Sequence, residues 1–81
     1  MSIYEELKTY INDSNFKLVY TNKYLNITNY TKIIILEDEK IEILISKRII
    51  KIRGKNLKLR RIMNMELLIT GIIYELKMID I

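Results

Sequence analysis

Residues 41–61 read IEILISKRIIKIRGKNLKLRR, and the period of this stretch decides the fold. Ile41, Ile43 and Ile45 alternate with Glu42 and Leu44, and Ile50 and Ile52 alternate with Ile49, Lys51 and Arg53. A two-residue period is that of a β-strand with one face against a core. With Ser46 and Lys47 as a two-residue loop, Ile43 stands opposite Ile50 and Ile41 opposite Ile52, while Glu42 meets Lys51 on the other face. Neither Ser nor Lys favours the positive φ of a primed turn, so a longer or bulged loop is the alternative connection. Gly54, Lys55 and Asn56 then read as a turn in which Gly54 takes a positive φ, before a strand in which Leu57 and Leu59 alternate with Lys58 and Arg60.

The same period extends in both directions. Upstream, Phe16, Leu18 and Tyr20 alternate with Lys17 and Val19, a turn is expected at Thr21 and Asn22, and Leu25 and Ile27 alternate with Tyr24, Asn26 and Thr28. Ile33 to Leu36 is apolar throughout, as in a strand covered on both faces, and Glu37, Asp38 and Glu39 make a polar turn. Downstream, after a break around Met63 and Asn64, Leu67 to Ile69 run into a turn expected at Thr70 and Gly71. Tyr74, Leu76 and Met78 then alternate with Glu75 and Lys77. Eight short strands without a crossover helix indicate a mainly β, antiparallel architecture, with a small sandwich preferred over a barrel. Only the N-terminal segment differs. Ser2 with Glu5 suits a helix cap, and Ile3, Leu7, Tyr10 and Ile11 recur on one face, so a short helix and turn are expected over 1–15 and the β-domain over 16–81. Asn12 to Asn15 would stop that helix.

The 81 residues suffice for one domain with one core, and a hydrophobic share of 49% argues against disorder. Cysteine and histidine are both absent. Disulfides, thiolate nucleophiles, imidazole metal ligands and the common histidine-based acid–base mechanisms are therefore excluded, so neither a catalytic residue, a cofactor nor a metal site is expected. The start MSIYEELKTY has no apolar signal region, and no apolar run approaches the ~20 residues of a membrane-spanning helix. A soluble, cytoplasmic, non-enzymatic protein is expected.

Three ordered segments carry a further likeness: LNITNY at Leu25 to Tyr30, GKNLKL at Gly54 to Leu59, and ELLITGII at Glu66 to Ile73. In order and spacing, residues 24–79 resemble the YabP/YqfC family of sporulation proteins of endospore-forming bacteria. That resemblance implies an Ig-like β-sandwich, a role in endospore formation, and, for one branch, work beside a larger membrane-associated sporulation protein, which would place the chain peripherally at the forespore membrane. It brings no catalytic residues. The chain departs from the family pattern in lacking a glycine near Ser46 and in its N-terminal segment, expected here to be helical rather than basic.

Two surfaces are candidates for binding. Lys47, Arg48, Lys51, Arg53, Lys55, Lys58, Arg60 and Arg61 fall within fifteen residues without an acidic group, a pattern that suits nucleic acid, lipid headgroups or an acidic partner, or simply a solvated face that blocks edge pairing. The tyrosines Tyr20, Tyr24, Tyr30 and Tyr74 lie outside this strip and are expected to pack at the core rim, which makes nucleic acid the weaker match. The second surface is apolar. Leu44 opposite Ile49, and Leu68 opposite Ile73 across a Thr70–Gly71 turn, exceed what one core needs, and either the N-terminal helix or a partner protein or second copy would cover them. Glu37, Asp38 and Glu39 lack metal-loop spacing and read as a solvated turn.

Overall fold

Alternation of isoleucine with polar residues produces strands, and the computed structural model, which describes residues 7–12, 16–21 and 23–81, contains seven of them. They are β1 (Leu7–Asn12), β2 (Lys17–Thr21), β3 (Leu25–Thr28), β4 (Lys32–Leu36), β5 (Lys40–Ile45), β6 (Arg48–Met63) and β7 (Glu66–Asp80). All belong to one open antiparallel sheet in the order β1-β2-β3-β7-β6-β5-β4. The N-terminal expectation needs correcting, because Leu7–Asn12 is a strand paired with β2 and not the second half of a helix. Ser2, Ile3 and the stop at Asp13, Ser14 and Asn15 lie outside the described residues, as does Asn22.

The β5–β6 hairpin has the register that the side chains require: Ile43 pairs with Ile50, Ile41 with Ile52, Glu42 with Lys51 and Leu44 with Ile49. Ser46 and Lys47 form the two-residue loop, and Ser46 accepts a φ of 54°. Its amide donates to the Thr31 hydroxyl at 3.3 Å, which ties the loop to the segment before β4. A positive φ costs a non-glycine residue on the order of 1 kcal/mol. Ser46→Gly, which keeps that amide, is therefore expected to raise stability by about 0.5–1 kcal/mol, read as a higher denaturant midpoint at unchanged slope. A lower midpoint would show that Ser46 is not strained.

The two glycines do not make the expected turns. Gly54 lies inside β6 opposite Ile73, without a positive φ, and Gly71 lies inside β7 with a φ of 125°. Strands expected to be separate are therefore continuous, so the eight expected strands become six, and β1 brings the number to seven. The β6–β7 ladder shifts register three times, leaving Tyr74 extra on β7, Asn56 and Leu57 against Gly71 alone, and Arg60 extra on β6. Bulges of this kind bend and twist a strand. They divide the long hairpin into one half joined through β5 to β4 and another half joined through β3 to β2 and β1.

Both halves feed a single core. Phe16, Leu18, Leu25, Ile27, Leu67 and Ile69 from one half join Ile41, Ile43, Ile45, Ile50 and Ile52 from the other, with Leu57 at the bend. The glycines permit this bend by letting backbones touch. A Cβ on Gly54 would collide with the Ile72 carbonyl oxygen and come within 2.9 Å of Leu57 Cδ2, while one on Gly71 would meet the Asn56 carbonyl oxygen at 2.6 Å. β4 also differs from expectation: it is an edge strand with Ile34 and Leu36 exposed, not one covered on both faces. Among the described residues no helix is long and apolar enough to cross a membrane.

Candidate interaction surfaces

Residues directly paired in an antiparallel ladder project from the same face, so the pairings define rows across β5, β6 and β7. Ile43, Ile50 and Met78 form a core row, as do Ile41, Ile52 and Leu76. The opposite face carries three others. The first is Leu44, Ile49 and Ile79, the second Glu42, Lys51 and Lys77, and the third Lys40, Arg53 and Glu75.

The apolar row is the part of the expected partner surface that the fold brings together. Leu44 and Ile49 are half-buried neighbours, and Ile79, which the sequence reading missed, extends them to a third strand at 41% exposure. Leu68 and Ile73 do not join them. Leu68 pairs with Asn26 and Arg61 in the other half of the sheet, and Ile73 pairs with Gly54 and packs against the core. The expected Leu68–Ile73 pair required a reversal at Gly71, where β7 instead continues.

The basic strip is dispersed over four places. Lys47 is exposed in the hairpin loop, while Arg48 lies at the core rim with Nε 3.0 Å from the Asp80 carboxylate, a nitrogen 3.4 Å from the Met78 sulfur, and its guanidinium over the Phe16 ring at 5.9 Å. Lys51 and Arg53 stand in the charged rows. Beyond the bend, Lys55, Lys58, Arg60 and Arg61 are exposed, and Arg60 Nε donates to the Thr70 hydroxyl at 3.1 Å. A strand that bends and bulges cannot keep all of its charges on one surface.

Within the charged rows Lys40 is 3.5 Å from the Glu42 carboxylate and Lys77 is 3.8 Å from that of Glu75. Lys51 and Arg53 lie between these pairs and have no ion-pair partner among the described residues. Together these six residues and Ile79 line a shallow depression. A neighbouring depression brings Tyr74 beside Arg53, with Glu37, Glu39 and Lys40. Tyr20 and Tyr30 pack against the core as expected, but Tyr24 and Tyr74 are exposed, Tyr74 because the bulge turns it outward next to a cation.

Glu37, Asp38 and Glu39 form an exposed connection between β4 and β5. Its backbone is the active part: the Asp38 carbonyl accepts from the Leu57 amide at 2.8 Å and the Glu39 carbonyl from the Gly54 amide at 3.0 Å. The turn thus clamps the bend of β6. No family model, curated protein or solved structure matches the chain. The likeness to the YabP/YqfC family therefore rests on the three quoted segments. They fall at β3 and the residues following it, within β6, and at the start of β7, with the motif glycines at the bend.

Proposed function

We propose that the chain is a non-enzymatic protein-interaction or assembly module of endospore formation, acting in the cytoplasm beside the forespore membrane. Its sheet halves pack as an Ig-like sandwich around their shared core. The observation that carries this reading is the outward row Leu44, Ile49 and Ile79, because the other face of the same three strands already holds the core. Apolar side chains aligned across adjacent strands, rimmed by the charges of Lys51, Arg53 and Lys77, have the composition of a protein contact with a polar border.

Retention of partners from sporulating cells, together with light scattering for self-association, tests the proposal. Leu44→Ser/Ile49→Ser is expected to stay folded and to lose at least about tenfold in association, as removal of central apolar contacts does. A second reading, anion binding, is favoured by the position of Lys51 and Arg53 between occupied ion pairs. Loss of association only in Lys51→Glu/Arg53→Glu, with strong weakening by salt, would contradict the apolar contact and support that reading.

A further inference from the structure

The β6–β7 hairpin ends in Ile62, Met63, Asn64 and Met65, and three of these four are apolar and turned to solvent. Ile62 is 58% exposed, Met63 60% and Met65 50%. Met63 pairs with Glu66, so Asn64 and Met65 form a two-residue loop, with φ values of 52° and 62°. Positive φ at both central residues is the requirement of a type I′ turn, which selects Asn at the first position and Gly at the second. Asn64 meets the first preference, whereas Met65 stands where the turn selects glycine. A flexible apolar side chain held at a strained, exposed position contributes little to folding.

Basic residues lead up to this tip along β6. Lys58, Arg60 and Arg61 are exposed on β6 within a few residues of it, and positions 43–65 contain no acidic residue. Arg61 stands two residues before Met63, about 7 Å along the strand, and its side chain can reach either way from there. The nearest acid, Glu66, is half-buried and accepts from the Asn26 side chain at 2.9 Å. The tip is braced from below by the Asn29 amide, which donates to the Met65 carbonyl at 2.7 Å.

We propose that this hairpin tip docks on an anionic lipid surface, with Ile62, Met63 and Met65 entering the headgroup boundary and Lys58, Arg60 and Arg61 binding the lipid charges. Interfacial segments bury their apolar side chains by roughly 5–10 Å, which matches the spacing between the methionines and the arginines. Nucleic acid is the weaker occupant, since phosphate recognition uses the cations but has no use for exposed aliphatic residues without aromatic platforms. The site is separate from the row Leu44, Ile49 and Ile79, so the two surfaces can act together or fail independently.

Co-sedimentation of the full chain with vesicles of phosphatidylcholine, with and without phosphatidylserine, tests this. Binding is expected only with phosphatidylserine and should fall as salt rises. Arg60→Gln/Arg61→Gln should weaken it by about thirtyfold, from roughly fivefold per charge. Met63→Thr/Met65→Asn should weaken it by about tenfold or more, while leaving thermal stability equal or higher, because Asn accepts positive φ. Absence of binding by the unaltered chain overturns the proposal. So does vesicle binding that is indifferent to the methionine pair, or affinity for a single-stranded oligonucleotide that depends on the arginines and exceeds that for the vesicles.

Discussion

Ile43→Asp is expected to abolish the fold. Ile43 has no exposed surface, pairs with Ile50 on one side and Ile33 on the other, and sits among isoleucines in the central cluster. A carboxylate there must be desolvated without a partner or drive β5 out of the sheet, at a cost of several kcal/mol. A domain of 81 residues has about 4–12 kcal/mol in total, so most of it disappears. Circular dichroism should show loss of strand signal and of a cooperative thermal transition, whereas Ile43→Val should keep both and cost about 0.5–1.5 kcal/mol. A folded, cooperative Ile43→Asp variant would place Ile43 outside the core.

Gly54→Ala is expected to destabilise by about 3 kcal/mol, lowering the melting temperature by roughly 12–24 °C. The sign is informative, because glycine to alanine in an ordinary strand stabilises by about 0.5–1 kcal/mol. Here the new Cβ has no room: the Ile72 carbonyl oxygen and Leu57 Cδ2 occupy its place, and both the Leu57 amide and the Gly54 amide are fixed to the 38–39 turn. Relief requires separation of β6 from β7 at the bend on which both halves of the core depend. An unchanged or higher melting temperature would show that the strands do not approach as closely as this.

These two positions mark the difference between what the sequence made legible and what it did not. The isoleucines at 41, 43, 45, 50 and 52 are a local period-two signal, and the register that pairs them also sets Glu42 opposite Lys51, so the hairpin and its core face could be read directly. Gly54 was ambiguous by nature. Glycine serves both reversal of the chain and close approach of two backbones, and only the partner strand, distant in sequence, decides between them. A reversal at Gly71 in place of a continuous strand separates Ile79 from Ile49 and joins Leu68 to Ile73, which is why only Leu44 and Ile49 of the expected apolar surface stand together. Leu7, Tyr10 and Ile11 posed a different problem. Their spacing suits a helical stripe, but Thr9, Tyr10 and Ile11 also favour strands, and pairing with β2 settles the contest through contacts outside the segment. The basic residues misled for a third reason: each bulge in β6 resets which residues share a face, so a continuous run of charge need not make a continuous surface.

The central claim is that β6 and β7 run unbroken past their glycines and so carry Ile79 to Ile49. Cross-strand proton contacts measured by nuclear magnetic resonance test it most directly. Backbone contacts are expected between Ile49 and Ile79 and between Gly54 and Ile73, with Leu68 facing Asn26 and Arg61. Contacts between Leu68 and Ile73 across a reversal at Gly71, with none between Ile49 and Ile79, would contradict it and dissolve the outward apolar row.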